Sequence, residues 1–448
     1  MVNTSRIVLI NPPTHHLMSD TGVVSRGLLS IHSFLKRNNI ESLFVDLAGS
    51  NEELWPAIPD SDIYGITSTS CQISYVGRLA RFLKERNNKC IIIMGGPHAI
   101  ALPEDCLRNR HADFACVSEG EIALMELLKS DFKINRNFAY LKNNKVTINN
   151  ILPLHKNIEL FYPLLYQDIG IHRYLNPGVF KYINKTTQDK QLTIIFSRGC
   201  YGTCKFCMSG SRTAPIRYRN INNMIKEINY HKDRWGINRI YFDDDELLTD
   251  KKHLFDLCNG MKKTGLDWMC LGRTDMASKD RFKIMKDSGC SGIVFGVESF
   301  ANRVLDGLAK RTTVKQNYNA LILAHSFGFK VRAQMMVGCI PYETESTIDE
   351  TAEYIKKVNK KTKNAIKFSF HIFQPLPGTA SYQEAMQDPI HWDQKILTDF
   401  NSFQTVGDFK NDKTARPLIA HKNRDKVYDW YDYLNDVAGK SELLVLSK

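Results

Sequence analysis

The sequence has no long apolar run and no paired cysteine framework. Its longest apolar runs, such as Cys90 to Met94, are far too short to cross a bilayer, and Met1 to Arg6 leads only into the short run Ile7 to Ile10. We therefore expect a soluble, cytoplasmic protein with neither a signal peptide nor a membrane span. A disulfide-stapled secreted fold is also excluded, because the 11 cysteines are odd in number and mostly scattered.

Eight of the cysteines lie far apart along the chain, and such residues in a cytosolic protein are mostly small buried hydrophobes. They are Cys71, Cys90, Cys106, Cys116, Cys258, Cys270, Cys290 and Cys339. Their spacing gives no reason to expect a second metal cluster.

Positive charge is abundant but uneven, and it forms no clustered run. Residues 1–130 carry 12 Lys and Arg against 14 Asp and Glu, whereas the remainder carries 48 against 34, so the net charges are −2 and +14. The basic part is compatible with an anionic substrate or a nucleic acid. It is also compatible with a lysine-rich solvated surface, which the lack of a clustered run favours. We therefore do not expect a nucleic-acid partner.

Residues 1–132 alternate apolar runs with helical patterns, which predicts a doubly wound parallel α/β sheet of the flavodoxin-like or Rossmann-like kind. The predicted strands are Arg6 to Ile10, Ser42 to Val45, Ile63 to Thr67, Cys90 to Met94 and Asp113 to Val117. The predicted helices are Gly27 to Asn38, Gln72 to Asn87, Pro103 to Arg108 and Glu121 to Lys129. Ligands of such sheets bind at the carboxyl ends of the strands, where this chain places small hydroxyl residues and glycines.

Residues 133–190 are predicted to be a connector, rich in Lys, Asn and Tyr. Ala139 to Leu141 and Lys145 to Ile148 predict a short hairpin around Asn143 and Asn144, because asparagine tolerates the positive φ of such turns. The rest of the connector shows no sustained period, and a linker of this length often covers a cleft.

Strand and helix patterns alternate again from residue 191 to residue 380. The predicted strands are Leu192 to Phe196, Arg239 to Asp243, Trp268 to Gly272, Gly292 to Gly296, Lys330 to Val337 and Lys367 to Phe373. The predicted helices are Asn220 to Trp235, Lys251 to Lys263, Lys279 to Ser288, Val314 to Ser326 and Glu345 to Lys360. Six β/α units predict a partial (β/α)6 barrel with its chemistry at the carboxyl ends of the strands. Residues 381–448 are predicted to be a helical extension that caps the barrel.

Three cysteines stand close together after the first of these strands. Cys200, Cys204 and Cys207 follow a C-x3-C-x2-C pattern, which lets one loop turn three sulfurs inward. Thiolates are the ligands that iron–sulfur clusters select. Zinc is the alternative, but zinc sites usually bring two close-spaced pairs, whereas this loop has one triplet. Since no fourth cysteine is nearby, a [4Fe-4S] cluster held here would keep one iron open for a substrate or cofactor.

The triplet, with the aromatic Phe206 directly before its last cysteine, resembles the signature of the radical S-adenosylmethionine (SAM) superfamily. The resemblance implies that Cys200, Cys204 and Cys207 are catalytic and hold a [4Fe-4S] cluster. In that family the open iron takes the methionyl amine and carboxylate of SAM, and the reduced cluster cleaves SAM to a 5'-deoxyadenosyl radical. An external one-electron reductant such as flavodoxin or ferredoxin is implied as a partner, and Phe206 as a residue of the cofactor site.

Other strand ends also resemble elements of this family. Glu298 resembles the residue that binds polar groups of SAM, and Arg273 is a further candidate for the cofactor site. Lys310 stands where the family has a basic residue for the methionine carboxylate, although the adjacent Arg311 is an alternative. The acidic run Asp243 to Glu246 either faces the active site, as in the family, or caps the next helix.

The strand ends of residues 1–132 resemble those of cobalamin-binding domains, which many radical SAM enzymes carry at the amino end. The resemblance implies that Ser68, Ser70, Gly95 and Gly96 lie around the buried nucleotide tail of cobalamin. The alternative is an α/β domain that kept its shape and lost the cofactor.

One element of cobalamin-binding domains is missing from this chain. The Asp-x-His-x-x-Gly element, which supplies a cobalt-ligating histidine, is absent, since residues 11–20 read NPPTHHLMSD. We therefore interpret His15 and His16 as loop residues. If cobalamin binds, we expect it to bind without a histidine on cobalt.

The two resemblances together imply an enzyme in which the deoxyadenosyl radical takes hydrogen from an unactivated C–H bond and methylcobalamin gives a methyl group to the substrate radical. The substrate is a small molecule or a peptide. The alternative within the family is a rearrangement, cyclisation or oxidation without methyl transfer. A non-catalytic carrier of a cluster or corrinoid is disfavoured by the full set of cofactor-site elements. A tRNA methylthiotransferase is disfavoured because the first domain has no cysteine set for a second cluster.

Overall fold

The structure is a computed structural model of the 448-residue chain and describes residues 7–14, 24–175, 189–209, 215–400 and 419–439. The chain forms two compact units. The first unit comprises residues 1–174, 376–378 and 395–418, and the second comprises residues 175–375, 379–394 and 419–448. No helix within the described ranges has the length and apolar character needed to cross a membrane. The domain boundaries placed after residues 132, 190 and 380 stay a prediction.

The first unit is a sheet with helices on both of its faces. Its strands are β1 (Ile7–Asn11), β2 (Ser42–Asp46), β3 (Ile63–Thr67), β4 (Ile91–Gly95), β5 (Phe114–Cys116), β6 (Phe138–Lys142) and β7 (Lys145–Ile148). Its helices are α1 (Arg26–Arg37), α2 (Ile73–Arg86), α3 (Pro97–Ala101), α4 (Pro103–Asn109) and α5 (Gly120–Lys129). Short 3-10 helices cover Glu52–Ala57, Ile158–Phe161, Tyr166–Asp168 and Ile171–Arg173.

The strand order of this sheet is β2-β1-β3-β4-β5-β6-β7, and the first five strands are parallel. The order 2-1-3-4-5 is the flavodoxin-like one, so the chain reverses direction across the sheet between β1 and β3. The predicted doubly wound sheet is therefore confirmed, and its ligand-binding edge lies at the carboxyl ends of these strands.

Alternation along β1 shows why both faces of the sheet are covered. Val8 and Ile10 pack into one core together with Val76 of α2, whereas Ile7 and Leu9 pack into the opposite core. A parallel strand between two helical layers must be apolar on both faces, and every residue of β1 is buried. The continuous apolar run Ile-Val-Leu-Ile is therefore typical of a strand that is covered by helices on both faces of the sheet.

The predicted hairpin forms, and it extends the sheet. Asn143 and Asn144 connect β6 to β7 with φ values of +49° and +60°, as the turn requires. Strand β6 pairs antiparallel with β5, so Phe138 is fully buried against the sheet. The start of the predicted connector is thus part of the first unit, because Phe138 and Ala139 add apolar surface to its edge.

The second unit contains a larger parallel sheet. Its strands are β8 (Gln191–Ile194), β9 (Ser197–Arg198), β10 (Arg217–Tyr218), β11 (Arg239–Phe242), β12 (Asp267–Arg273), β13 (Cys290–Glu298), β14 (Lys330–Val337) and β15 (Lys367–Ile372). Its helices are α6 (Ile221–Trp235), α7 (Lys251–Thr264), α8 (Lys279–Asp287), α9 (Asn302–Gly307), α10 (Val314–Ser326), α11 (Glu345–Thr362), α12 (Ala380–Met386) and α14 (Arg424–Ala438). A 3-10 helix covers Thr274–Met276, and α13 (Gln394–Thr398) runs mainly within a segment of the first unit.

Six strands of the second unit form one parallel sheet in the order β15-β14-β13-β12-β11-β8. This sheet is the predicted six-unit partial barrel. Tyr241, Met269 and Val294 form a small apolar cluster on adjacent strands. The helices begin and end at recognisable residues. Thr313 forms a capping box at the start of α10, and Gly236 ends α6 in the left-handed conformation.

Candidate functional site

The loop with the three cysteines follows β8 and is held by carboxylates from the loop after β11. Asp244 accepts hydrogen bonds from the backbone N–H and the hydroxyl of Ser197, the latter at 2.6 Å. Asp245 accepts hydrogen bonds from the backbone N–H of Gly199 at 3.1 Å and from the hydroxyl of Ser209 at 2.9 Å. These carboxylates therefore hold the cysteine loop both before its first cysteine and after its last.

The helix-capping interpretation of the acidic run is not what the structure shows. Helix α7 is capped by Asp250, whose side chain accepts a hydrogen bond from the backbone N–H of His253 at 2.9 Å. Glu246 instead accepts a hydrogen bond from the backbone N–H of Leu248 at 3.0 Å and is buried. The run between Asp243 and Glu246 thus supports the loops of the site.

The sulfurs of Cys200 and Cys204 lie on the same side of the loop. A Cβ on Gly202 would lie 3.3 Å from the sulfur of Cys200 and 3.7 Å from that of Cys204, and the backbone N–H of Gly202 donates to the Cys200 sulfur at 3.3 Å. Burial raises the pKa of the Cys200 thiol to about 11. Burial also raises the pKa of Cys204, and the charges of Lys310 and Arg273 oppose that shift. A bound metal must therefore displace protons from these thiols.

Within the described ranges, no group of three or more His, Cys, Asp or Glu side chains is arranged to hold a single metal ion. A [4Fe-4S] cluster makes a different demand, because each cysteine binds a different iron and the thiolates spread over separate corners. Three thiols on one loop are the donor chemistry of such a cluster, and none of Cys200, Cys204 and Cys207 is in a disulfide. The residues present therefore fit the cluster.

Arg273, the last residue of β12, joins several parts of this site. Its Nη1 lies 3.5 Å from the sulfur of Cys204, and its Nη2 donates to the backbone oxygen of Lys310 at 2.6 Å. Its Nε donates to the hydroxyl of Tyr201 at 2.9 Å and to the carboxylate of Asp275 at 3.0 Å. Burial opposes the charge of Arg273, but the hydrogen bonds and charge of Asp275 outweigh burial and raise the pKa of the guanidinium.

Glu298 and Lys310 form a buried ion pair beside the same loop. The Nζ of Lys310 lies 2.7 Å from the Oε1 of Glu298, and their side chains are 6% and 9% exposed. The Lys310 ammonium also lies 5.9 Å from the ring centroid of Phe206. A Cβ on Gly296 would come within 2.6 Å of the Glu298 carboxylate, so this glycine makes room for the pair. The alternative residue, Arg311, is exposed.

Buried carboxylates also support the strand ends from behind. Burial raises the pKa of Asp244 to about 7, and it raises the pKa of Glu343 to about 7 as well. Glu343 accepts a hydrogen bond from the backbone N–H of Cys339 at 2.9 Å and another from that of Gly338. It thereby fixes the turn that follows β14.

In the first unit, Ser68, Gly95 and Gly96 lie at the carboxyl ends of β3 and β4. The hydroxyl of Ser68 donates to the backbone oxygen of Gly95 at 3.3 Å. Gly96 has a φ of +89°, and a Cβ there would lie 2.7 Å from the backbone oxygen of Ser68. A Cβ on Gly95 would meet nothing closer than 3.9 Å. Gly96 is therefore required by the chain itself, whereas a Cβ at Gly95 would make only an ordinary van der Waals contact, with Cys116.

Ser70 is bonded to a histidine that is completely buried. The Ser70 hydroxyl lies 3.0 Å from the Nδ1 of His98, and the Nε2 of His98 lies 3.1 Å from the carboxylate of Asp105. Both ring nitrogens of His98 are thus engaged within the first unit. His15 and His16 lie outside the described residues, so their interpretation as loop residues stays a prediction.

Comparison with known sequence families identifies the two domains that contain these sheet edges. Residues 194–355 match the family model of the radical SAM superfamily, and residues 20–128 match that of the B12 binding domain. The chain is a radical SAM enzyme with a B12-binding domain. The cofactors predicted from the sequence are therefore confirmed at the level of the domains: a [4Fe-4S] cluster and SAM for the radical SAM domain, and cobalamin for the B12-binding domain.

Relatives of this radical SAM enzyme include proteins named as methyltransferases and proteins named as cyclases. An uncharacterised methyltransferase of Pyrococcus horikoshii is 28% identical over 399 residues, which are 85% of this chain and 83% of that protein. An anaerobic magnesium-protoporphyrin IX monomethyl ester cyclase of Rubrivivax gelatinosus is 25% identical over 72% of this chain and 58% of its own length.

A solved structure shares the fold of the radical SAM enzyme described here. The radical SAM methyltransferase TsrM from Kitasatospora setae, with cobalamin and a [4Fe-4S] cluster bound, superposes with a TM-score of 0.69. The match covers 86% of this chain and 76% of that one at 13% identity, so the likeness is one of fold. It confirms the predicted order of an N-terminal parallel sheet followed by a radical SAM barrel.

Sequence reasoning missed several residues of the radical SAM site. Tyr201 and Asp275 accept hydrogen bonds from the guanidinium of Arg273. Gly202 lies beside the sulfurs of Cys200 and Cys204. Glu343 holds the turn after β14. The available signal was their position, since each lies within five residues of a strand end or a cysteine. The roles of the individual site residues, both predicted and newly found, stay predictions.

Proposed function

We propose that this radical SAM enzyme transfers a methyl group to an unactivated carbon of its substrate with the help of cobalamin. The observation that carries the proposal is that one chain holds both a radical SAM domain and a B12-binding domain. A relative covering most of the chain and a structural neighbour both have methyltransferase in their names, which supports the same outcome.

We assign the cluster to the cysteine loop of the second unit. Cys200, Cys204 and Cys207 bind three irons, and their loop, held by Asp244 and Asp245, keeps the sulfurs in place. Held by these three cysteines, the cluster would supply the electron for SAM cleavage, and cobalamin held by the first unit would supply the methyl group.

We assign the Glu298–Lys310 pair to the aminocarboxylate end of SAM. The methionyl carboxylate is negative and suits the Lys310 ammonium, and the N–H groups of the methionyl amine suit the Glu298 carboxylate. A buried pair that meets these two groups can exchange its internal contact of 2.7 Å for two external ones, with an opposite charge for Lys310 and N–H donors for Glu298. The ring of Phe206 attracts the Lys310 ammonium through a cation–π contact, which keeps the lysine oriented during that exchange.

We assign the nucleotide tail of cobalamin to the edge formed by Ser68, Ser70, Gly95 and Gly96. Gly95 has no side chain, and the nearest neighbour of a Cβ there would be Cys116 at 3.9 Å, so a ligand can approach its backbone closely. Ser68 and Ser70 lie at the same edge of the sheet, where their hydroxyls hold Gly95 and His98 through hydrogen bonds. Both ring nitrogens of His98 are hydrogen-bonded, to Ser70 and to Asp105. We therefore do not assign His98 as a ligand of cobalt.

We further propose that the protein works in the cytoplasm with an external one-electron reductant such as flavodoxin or ferredoxin. Free thiols and an iron–sulfur cluster suit a reducing compartment. The substrate is a small molecule or a peptide.

A substrate-free experiment tests the proposed outcome. Anaerobically reconstituted protein is reduced with dithionite and titanium(III) citrate and incubated with SAM, with and without cobalamin. We expect 5'-deoxyadenosine in both samples, and S-adenosylhomocysteine only when cobalamin is present, because loss of the methyl group leaves that product. A cyclase or rearrangement enzyme would form 5'-deoxyadenosine without cobalamin-dependent S-adenosylhomocysteine.

Two variants separate the two products. Cys204→Ala should abolish 5'-deoxyadenosine because it removes a cluster ligand. Gly95→Leu should abolish S-adenosylhomocysteine alone, since it fills the proposed tail site of the first unit, whereas the three cysteines belong to the second unit. Loss of both products in both variants would contradict the assignment of separate sites.

A further inference from the structure

Two N–H groups donate to the sulfurs of the cysteine loop. The backbone N–H of Gly202 lies 3.3 Å from the sulfur of Cys200, and the Nη1 of Arg273 lies 3.5 Å from that of Cys204. Gly202 also leaves room for the guanidinium, because a Cβ there would lie 3.2 Å from the Nη1 of Arg273. The loop thus admits a cation to within hydrogen-bonding distance of a proposed cluster ligand.

The position of that cation is fixed by several partners. Tyr201, Asp275 and the backbone oxygen of Lys310 all accept hydrogen bonds from the Arg273 guanidinium. The Arg273 side chain is only 7% exposed and that of Asp275 is 13% exposed. Water therefore screens the charge of this pair weakly at the sulfur of Cys204.

Charge and hydrogen bonds at a sulfur ligand change how easily an iron–sulfur cluster accepts an electron. Reduction adds a negative charge to the cluster, and a nearby cation stabilises the reduced form more than the oxidised form. A neighbouring carboxylate has the opposite effect. The Arg273–Asp275 pair therefore places two opposing influences beside one thiolate.

We infer that Arg273 raises the reduction potential of the cluster through its N–H contact with the Cys204 sulfur, and that Asp275 moderates this effect by partly neutralising the guanidinium. The inference rests on the proposed cluster ligands. Arg273 acts through Cys204, so it is a positioning and tuning residue. Its consequence is that a cellular reductant of moderate potential can load the cluster with its electron.

Two substitutions of opposite sign test the inference. Arg273→Gln removes the cation, and we expect the midpoint potential of the cluster to become more negative than in the wild type. Asp275→Asn leaves the guanidinium uncompensated while its amide oxygen still accepts a hydrogen bond, and we expect a less negative midpoint. The measurement is a potentiometric titration of the full-length, anaerobically reconstituted protein without SAM, followed by the EPR signal of the reduced cluster.

A matched control is available in the same unit. Among the described residues, Arg281 donates its Nε to the backbone oxygen of Leu248 at 3.0 Å and its Nη2 to that of Thr249 at 3.3 Å, both outside the cysteine loop. Arg281→Gln should leave the midpoint unchanged. If Arg273 serves only to hold the loops together, both Arg273→Gln and Asp275→Asn should lower iron content or leave the midpoint where it was.

The outcomes are decisive even if one variant fails to assemble. If Arg273→Gln holds no iron, the direction of the Asp275→Asn shift decides, and an unchanged or more negative midpoint overturns the inference. Failure of the proposed ligands would look different, because the wild-type protein itself would then give no cluster signal. An unshifted midpoint in Arg273→Gln with full iron content would overturn the tuning role and leave the ligand assignment intact.

Discussion

The carboxyl-terminal edges of the two sheets solve different binding problems with the same architecture. At the edge of the second sheet, Arg273, Glu298 and Lys310 are charged and at least nine-tenths buried, and each is paired with an opposite charge. At the edge of the first sheet, Ser68 and Gly95 contribute only hydroxyl and backbone groups.

This difference matches what each cofactor demands. A methionyl carboxylate and a cluster that changes charge require compensating charges, which the protein can bury only in pairs. The nucleotide tail of a large cofactor requires space and neutral hydrogen-bonding groups. A parallel sheet can thus be adapted to either task by the residues directly after its strands.

The largest expected effect is loss of the cluster from the charged edge of the second sheet. Replacing Cys200, Cys204 or Cys207 by Ala should abolish the cluster, which in the wild type should contain about four irons per chain. SAM cleavage should disappear with it. Iron and sulfide analysis after anaerobic reconstitution measures this loss, with Cys71→Ser as the control that keeps its iron. A full cluster in any of the three Ala variants would refute the ligand assignment.

The next effect concerns the uncharged edge of the first sheet, where we expect Gly95 to leave space for cobalamin and Gly96 to be needed for the backbone conformation. Gly95→Leu should prevent cobalamin binding while the protein stays folded, because nothing lies within 3.9 Å of a Cβ at Gly95. Gly96→Ala should instead destabilise the first unit by at least about 1–2 kcal/mol, since its φ is +89° and its Cβ would contact Ser68. Gel filtration with cobalamin and thermal unfolding distinguish the two. Retention of cobalamin by Gly95→Leu would remove Gly95 from the site.

A smaller effect sharpens the comparison at the ion pair. Lys310→Ala should weaken SAM binding by about 1.5–3 kcal/mol, the scale of a charge-assisted hydrogen bond, and leave the cluster spectrum unchanged. Arg311→Ala is the matched control because Arg311 is adjacent and exposed, and it should bind SAM as the wild type does. Equilibrium binding of SAM to the reconstituted protein provides the measurement. The reverse result would transfer the role from Lys310 to Arg311.

The smallest effect concerns the buried acid behind β14. Burial raises the pKa of Glu343 to about 7, so the folded chain keeps a proton that the unfolded chain releases near pH 4.5. Stability from this group is therefore present below the unfolded pKa and is lost as the pH rises toward 7. Glu343→Gln cannot titrate, so its stability relative to the wild type should increase by up to about 2 kcal/mol between pH 5 and 7.

Thermal unfolding of the metal-free protein across that pH range tests the behaviour of Glu343. The exposed Glu350 supplies the control, since Glu350→Gln should keep a constant offset from the wild type at every pH. A constant offset for Glu343→Gln as well would show that Glu343 does not titrate in this window.

The sequence predicted the elements of the fold well because their signals are local. The strand Ile63–Thr67 and the helix Val314–Ser326 have the bounds that their apolar patterns predict. Short elements were missed, such as the helix Asn302–Gly307, because fewer than two turns show no period. The strand Cys290–Glu298 runs beyond the predicted end, since its last residues carry the site and are not apolar throughout.

The candidate site was predictable where the residue type alone states the chemistry. Three spaced cysteines indicate a metal site in any context, but the contact between Arg273 and Cys204 joins residues 69 positions apart. Likewise, nothing in the local sequence indicates that His98 is bonded to Ser70 rather than available to a ligand. Such contacts depend on which strands lie side by side, and that is a property of the folded sheet.

The two carboxylates that hold the cysteine loop have a consequence for the life of the protein before it is active. Asp244 and Asp245 contact Ser197, Gly199 and Ser209 through hydrogen bonds that need no iron. We therefore expect the second unit to hold this loop before the metal binds, unlike a zinc finger, which is unstructured until it is loaded. A chain held in this way would need only insertion of the cluster, and no refolding of the loop, to become active.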